Sequence, residues 1–248
     1  MFIGAGTAIN VVAVLVGSGA GILLGHRLPE RTRTIVTDVL GLVTLLIAAL
    51  SVSAVLDPVL TGAVGDQAPV LIVLGALLVG SIIGSLLRLE DRIAALGGRL
   101  QRRLAPADAP ADRQRFIEGF LTASLLFCVG PLTILGSLTE GMGDGADQLV
   151  LKSVLDGFAA VAFAAAFGVG VMASALSVLV IQGTLTAAGA LVGAFVPDPH
   201  LAALTATGGL VLAAVGLRLL AIRSVAVADL LPALIIAPAL TQLVIVLR

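Results

Sequence analysis

The chain has no tryptophan, no tyrosine, one cysteine and two histidines, and 12% of its 248 residues are charged. The single cysteine, Cys128, excludes an internal disulfide and a metal site built from a cysteine cluster. His26 and His200 are predicted to lie in loops, which excludes a buried histidine dyad. The sequence also lacks an HExxH motif and a glycine-rich phosphate loop after a strand. We therefore expect no metal, no cofactor and no enzymatic activity.

Charge of either sign is scarce, and the net charge is −1. Such a balance gives no general affinity for nucleic acid. Apolar residues instead make up 59% of the chain, whereas soluble domains have about 45–50%. An excess of this size cannot be buried in the core of one soluble domain. The lipid bilayer is the solvent that remains, and it is the first predicted partner.

Apolar stretches of about 20 residues, the length that crosses a bilayer, divide the chain into eight predicted spans. The run at 150–195 is more than twice that length and is predicted to hold two of them. The spans lie at about residues 3–24, 35–55, 69–87, 116–137, 150–169, 171–195, 201–221 and 228–247. The sequence thus predicts an all-α, polytopic transmembrane helical bundle, with residues 1–248 forming a single integral membrane domain.

Basic residues test this count, because cytoplasmic loops are enriched in Lys and Arg. With the N-terminus outside, the loops at 25–34, 88–115 and 218–227 place twelve of the 14 basic residues on the inner side. Lys152 and Arg248 remain outside. Eight spans with both termini outside is therefore the predicted topology.

The loop at 88–115 begins as a basic amphipathic helix whose apolar stripe is formed by Leu89, Ile93, Leu96 and Leu100. We interpret it as a cytoplasmic helix lying on anionic lipid. The alternative is a nucleotide-binding or protein-binding site.

Acidic residues concentrate in the predicted outer loop between Glu140 and Asp147. This loop either concentrates cations outside the membrane or is an ordinary solvated turn. At the inner face, Asp229 is predicted to pair with Arg218 or Arg223.

Small residues recur at every fourth position in three spans, a spacing through which membrane helices pack closely. They are Gly17, Gly21 and Gly25, then Gly80 and Gly84, then Gly189 and Gly193. We interpret these ladders as packing seams within the bundle. Self-association through one of them would produce a homo-oligomer, which the sequence leaves open.

Short internal sequence similarities suggest an inverted repeat. Glu118-Gly-Phe in the fourth span matches Asp156-Gly-Phe in the fifth, and these two spans are predicted to be antiparallel. A second similarity joins the second and seventh spans. Chance similarity in an apolar sequence is the alternative. Inverted repeats and broken helices are typical of secondary transporters.

The fourth span contains the helix-breaking pair Gly130-Pro131. Pro131 lacks an N–H group, and its ring clashes with the carbonyl group of Phe127. Carbonyl groups freed in this way must bind water, a neighbouring side chain or an ion. We therefore predict a broken fourth helix that lines a pathway through the membrane.

Ionisable side chains within spans are costly and often functional. Glu118 and Asp156 each lie near one membrane face, where an acid also suits the helix dipole. Lys152 lies one turn from Asp156, a spacing that predicts an internal ion pair. Asn10 and Gln182 lie near mid-span depth, as interhelical clamps or as ligands of a solute. The candidate pathway residues are Asn10, Glu118, Gly130, Pro131, Thr133, Lys152, Ser153, Asp156 and Gln182.

Four parts of the chain resemble one bacterial membrane family, called domain of unknown function 554, the YqgA-like proteins. The blocks are GTAINVVAVLVGSGAG (6–21), GFLTASLLFCVGPLTILGSLTEG (119–141), KSVLDGF (152–158) with GVGVMASALSVLVIQG (168–183), and LPAL (231–234). The resemblance implies a polytopic inner-membrane protein, described as a candidate transporter without a settled substrate. Most of the candidate pathway residues fall within these blocks.

Two functions are compatible with these features. The first is a secondary transporter or channel-like carrier of a small solute or ion, with a polar cavity between the fourth and fifth spans. The second is a non-transporting membrane assembly or regulatory protein. It predicts a dry interface in which Asn10, Asp156 and Gln182 all form hydrogen bonds within the protein.

Overall fold

The computed structural model describes residues 2–25, 29–104, 110–128, 131–143, 145–192 and 197–248. The regular elements in these ranges are all helical. In chain order they are α1 (Ala5–Gly25), α2 (Glu30–Val52), a 3₁₀ turn (Ser53–Leu56), α3 (Pro58–Val64), α4 (Ala68–Leu86), α5 (Leu89–Leu104), α6 (Pro110–Cys128), α7 (Pro131–Met142), α8 (Asp147–Phe167), α9 (Val169–Val192), α10 (Asp198–Leu219), a second 3₁₀ turn (Val227–Leu230) and α11 (Ala233–Leu247).

Seven helical segments in the described ranges are long and apolar enough to cross a membrane. An eighth crossing is obtained if α6 and α7, which bend by 58° at their junction, form one span. The prediction of an all-α, polytopic helical bundle is thereby confirmed. The inverted repeat stays a prediction.

Local signals explain where several helices begin and end. Asp57 caps α3 by accepting the N–H of Val59 at 2.9 Å, and Pro58 occupies the first helical position. Helix α8 ends at Gly168, whose φ of 74° is a left-handed conformation that glycine adopts most readily. The long apolar run at 150–195 is therefore divided here into α8 and α9.

Large apolar side chains are exposed over much of the surface, as expected for a protein in lipid. Leu46, Phe158 and Leu191 are 60%, 75% and 86% exposed, whereas Asn10 and Gln182 are completely buried. Lipid accepts apolar side chains and offers polar groups no hydrogen bonds, so polar groups are placed in the protein interior.

The described chain divides into two compact units. Unit 1 comprises Met1–Leu40 and Ala94–Phe195, and unit 2 comprises Gly41–Ile93 and Val196–Arg248. The single integral membrane domain over residues 1–248 stays a prediction.

In unit 1 the glycine ladder of α1 packs against α8. Gly17 faces the backbone of Gly157, and Gly21 faces that of Val161, at the same offset in sequence number. A Cβ atom at either glycine would clash with a carbonyl oxygen of α8, so this approach requires glycine. The constant offset also means that the two helices run parallel, as expected for the first and fifth spans.

Helix α9 packs against both helices of the bent pair, α6 before the break and α7 after it. Before the break, Ser124 Oγ of α6 donates to Ser177 Oγ of α9 at 2.9 Å. Beyond the break, Gly189 of α9 packs against the backbone of Leu138 in α7. The part of α9 between these two contacts therefore lies beside the break.

Glycines make the same type of contact in unit 2. Gly80 and Gly84 of α4 face the backbone at Ala233 and Asp229. The ladders in the first and third spans are thus packing seams within the chain. Gly193, from the predicted third ladder, lies outside the described residues.

The charged contacts of unit 2 lie at helix ends. Arg218 Nη1 donates to Glu90 Oε1 at 2.7 Å, and the N–H of Ala228 donates to Glu90 Oε2 at 2.8 Å. In return, the N–H of Glu90 donates to Asp229 Oδ1 at 3.0 Å. Asp229 was predicted to pair with Arg218 or Arg223. Among the described residues it pairs with neither, because Glu90 takes Arg218 and Asp229 caps the first turn of α5.

His200 corrects a second expectation. It lies in the first turn of α10 rather than in a loop, it is buried, and its Nε2 forms a hydrogen bond with Gln242 Oε1 at 2.9 Å. The loop assignment was wrong because α10 already begins at Asp198. His26 lies outside the described residues.

The predicted amphipathic helix at 88–115 corresponds to α5. Its apolar stripe includes Leu96, which is exposed, while Gly97 packs against Ile117 and Phe120 of α6. The other three residues of the stripe, Leu89, Ile93 and Leu100, are half-buried. Attachment of α5 to anionic lipid stays a prediction.

Candidate functional site

A buried ion pair lies on α8, where the sequence spacing predicted one. Lys152 Nζ contacts Asp156 Oδ2 within a single helical turn. The two residues are 5% and 8% exposed. Asn10 Nδ2 of α1 donates to the same Asp156 oxygen at 2.9 Å. The parallel contact of α1 with α8 thus brings together three of the candidate pathway residues.

Asn10 and Gln182 are completely buried and retain polar atoms without a partner among the described residues. One buried atom also lacks a partner in each of Ser18, Ser137, Gln148 and His200. Asn10 Nδ2 donates to a carboxylate, so its Oδ1 is the remaining acceptor, and it accepts no hydrogen bond. In Gln182, neither Oε1 nor Nε2 has a hydrogen-bond partner. A buried polar group left in this state costs about 1–3 kcal/mol.

These two amides lie at the same level of adjoining helices. Thr7 Oγ1 of α1 and Thr186 Oγ1 of α9 are 3.2 Å apart, and Gly19 farther along α1 lies beside Met172 farther back along α9. The helices are therefore antiparallel.

Asn10 follows Thr7 by one turn, and Gln182 precedes Thr186 by one turn, so each amide shares a helix face with its threonine. Both amides consequently lie one turn farther into the bundle than the two threonines.

The break between α6 and α7 lies near the same level. Gln182 occupies the segment of α9 between Ser177, which contacts α6, and Gly189, which contacts α7. Beyond the break, Gly136 of α7 packs against Leu149 of α8, one turn before Lys152. The amides of Asn10 and Gln182, the Lys152–Asp156 ion pair and the break between α6 and α7 therefore lie in one region of unit 1. We call this region the polar centre.

Thr133 is part of the break itself. Its hydroxyl group donates to the carbonyl oxygen of Phe127 at 3.0 Å, and the threonine is completely buried. This is the carbonyl group that the proline ring of Pro131 was predicted to free. A neighbouring side chain satisfies it, rather than water or an ion. Gly130 lies outside the described residues.

Two further candidates are Ser153, which is adjacent to Lys152 in α8, and Glu118 of α6. Ser153 is buried, and its hydroxyl group donates to the carbonyl oxygen of Leu149 in its own helix at 2.6 Å. Glu118 is half-buried in α6, and its neighbour Gly119 packs against Phe167 at the end of α8. Glu118 thus lies toward the opposite end of α8 from Lys152.

Glu140 is the residue that the sequence analysis missed. It was expected in a solvated outer loop, but it lies in α7 and is 3% exposed. Its carboxylate accepts the N–H of Gly6 and lies 3.2 Å from Thr7 Oγ1 and 3.3 Å from Thr186 Oγ1. A signal was present, because Glu140 continues the helical face of Thr133 beyond the predicted end of the fourth span.

A family model described as a protein of unknown function, DUF554, matches residues 5–242. The chain belongs to this family. The resemblance seen in the sequence blocks is therefore confirmed, and the match includes the helices that form the polar centre. The family description assigns no activity.

Two relatives match along nearly their whole length. "Uncharacterized protein YqgA" of Escherichia coli (strain K12) is 34% identical, with 94% of each chain covered. "Uncharacterized membrane protein YdfK" of Bacillus subtilis (strain 168) is 26% identical, covering 94% of this chain and 93% of the relative. No solved structure matches the chain significantly. The description of YdfK and the apolar helices agree that this is a membrane protein.

Proposed function

We propose that this protein is a secondary transporter or channel-like carrier of a small polar solute or ion. It would act in the bacterial inner membrane as a multi-pass, non-enzymatic protein with both termini outside. The observation that carries the proposal is the wholly unpartnered buried amide of Gln182, with the unpartnered oxygen of Asn10 at the same level, beside a broken helix.

The energetic argument begins with the cost of these groups. A protein that only needed a packed scaffold could place apolar side chains at both positions and avoid this cost. A passing solute or water can supply the missing hydrogen bonds. Discontinuous helices and buried ionisable groups mark substrate pathways in many transporters.

The chemistry of the centre restricts the solute. Lys152 and Asp156 cancel each other's charge. The free groups are two acceptors, Asn10 Oδ1 and Gln182 Oε1, and one donor, Gln182 Nε2. They suit a solute that both donates and accepts hydrogen bonds, or an ion that retains part of its hydration shell.

The second candidate function is a non-transporting assembly or regulatory protein. The hydrogen bond from Thr133 to Phe127 favours it, because this bond closes the break without water. The hydrogen bond from Asn10 to Asp156 favours it for the same reason. The unpartnered amide of Gln182 favours the carrier.

Flux measurements distinguish the two functions. Thermal shift of the purified protein first selects solutes, which are then tested in proteoliposomes containing wild type, Asp156→Asn, Gln182→Leu or Thr207→Val. Thr207 is a buried residue of unit 2 whose hydroxyl group donates to Ala203 O at 2.8 Å, so its variant is a matched control.

The carrier predicts flux in wild type and in the control, and a loss of flux in the other two variants. Equal flux from all four proteins would remove the polar centre from the pathway. Absence of flux for every selected solute would favour the assembly protein.

A further inference from the structure

Glu140 is a buried carboxylate that has no basic partner among the described residues. One of its oxygens, Oε1, accepts the N–H of Gly6 in the first turn of α1. The other, Oε2, faces the hydroxyl groups of Thr7 and Thr186. We propose that Glu140, Thr7 and Thr186 form a binding site for a sodium ion.

The geometry of the three oxygens supports a cation. Glu140 Oε2 lies 3.2 Å from Thr7 Oγ1 and 3.3 Å from Thr186 Oγ1, and the two hydroxyl oxygens are 3.2 Å apart. All three separations are within hydrogen-bonding range, although hydroxyl groups that donate to a carboxylate normally approach more closely, to about 2.5–2.7 Å. Oxygens that share a hard cation at about 2.0–2.6 Å are instead separated by about 3 Å.

The orientation of the Thr186 side chain also supports a cation site. Thr205, Thr207 and Thr241 each donate to the carbonyl oxygen four residues earlier in their helix, at 2.8–2.9 Å. Thr186 turns its hydroxyl group across to α1 and α7 instead. The site therefore takes one oxygen from each of three helices.

The charge of the site selects a monovalent ion. The single carboxylate is partly offset by the N-terminus of α1, where the helix dipole carries about half a positive charge. Ca²⁺ sites usually contain several carboxylates, whereas this cluster has one.

The position of the site links it to the proposed solute site. Thr7 and Thr186 lie one turn from Asn10 and Gln182 on the same two helices. A bound sodium ion would hold α1 and α9 in register at the level where the amides act. This coupling rests on the proposed function, whereas binding of the ion does not.

Sodium binding is tested on the purified full-length protein in detergent. Thermal melting is followed in NaCl, KCl and choline chloride at constant ionic strength, and binding of radioactive Na⁺ is measured directly. We expect the melting temperature of wild type to rise with NaCl alone, as it does when a ligand binds the folded state. Glu140→Gln should abolish both signals.

Two variants separate loss of binding from loss of folding. Thr186→Val keeps the carboxylate and should weaken Na⁺ binding about tenfold or more, because one ligand of the ion is lost. Asp147→Asn removes an exposed carboxylate from the first turn of α8 and should bind Na⁺ like wild type. These two measurements remain decisive even if Glu140→Gln does not fold.

Equal stabilisation by all three salts would overturn the proposal, as would Na⁺ binding that survives Glu140→Gln. Stabilisation that follows pH and ignores Na⁺ would assign the carboxylate to a proton and also overturn it. Na⁺ binding without solute flux would refute the carrier and leave the ion site intact. Flux without Na⁺ binding would refute the ion site and leave the carrier intact.

Discussion

Arg218 and Glu90 in unit 2 keep 25% and 22% of their side chains exposed, whereas Lys152 and Asp156 in unit 1 keep 7% and 11%. Both oxygens of Glu90 accept hydrogen bonds at the ends of helices. The ion pair of unit 1 lies deeper and beside amide atoms that have no partner. Both units pack their helices through glycines, so packing does not explain the difference. In unit 2 the ion pair joins helix ends, whereas in unit 1 it is buried between helices, and the proposed function would account for its cost.

Asp156→Ala is expected to give the largest effect, because it leaves Lys152 buried without a counter-charge. We expect a loss of about 3–5 kcal/mol in the free energy of unfolding, measured by thermal and denaturant melting in detergent. Glu90→Ala in unit 2 should cost clearly less. A control that replaces both partners, Lys152→Met with Asp156→Leu, should recover most of the stability. Equal losses for Asp156→Ala and Glu90→Ala would remove the contrast between the units.

Gly21→Ala tests whether the glycine seam is a steric requirement. The added Cβ would clash with the carbonyl oxygen of Val161 and approach Ala164, and we expect a cost of about 1–3 kcal/mol. Gly84→Ala should have a similar effect in unit 2, since both units use the same contact.

The matched control for the seam is Gly183→Ala in α9, where an added Cβ would meet no atom within 4 Å. This change should stabilise the protein by up to about 1 kcal/mol, because alanine favours the helix. A loss of stability in Gly183→Ala equal to that in Gly21→Ala would show that the seam is not specific. Melting temperatures of the purified variants decide this.

Gln182→Met sharpens the distinction between stability and function. Replacing an unpartnered buried amide with an apolar side chain should leave stability unchanged or raise it by about 1–2 kcal/mol. Flux of the selected solute should fall at the same time. A variant that melts earlier and still transports would show that the amide is a structural clamp.

Glu90→Gln should give the smallest effect. The ion pair with Arg218 is partly exposed, so we expect a loss of about 1 kcal/mol or less, and this loss should shrink as salt is added. Melting at low and high ionic strength measures both. A loss that is large and independent of salt would indicate that unit 2 also buries a functional charge.

The sequence allowed much of this arrangement to be predicted. Spacing placed Lys152 on the same helix face as Asp156, and Gly130-Pro131 marked the junction between α6 and α7. These features depend on residues close in the chain, for which helix geometry provides the relation.

Other features could not be predicted in this way. Glu140 was assigned to a loop because helix ends are weakly encoded, and its partners come from α1 and α9. Asn10 was a candidate, but nothing in the local pattern indicated that it would bind Asp156. Such contacts depend on which distant helices meet.

The sequence by itself determined that the chain is a membrane protein, its helical class and the position of the break. An excess of apolar residues has no other solvent than lipid, and Pro131, which follows a glycine in the middle of an apolar run, removes a backbone hydrogen bond there. Only the tertiary structure decided that α1 runs along α8 and crosses α9. A glycine ladder indicates where another helix can pack closely. Which helix packs there depends on how the surfaces of all the helices fit together.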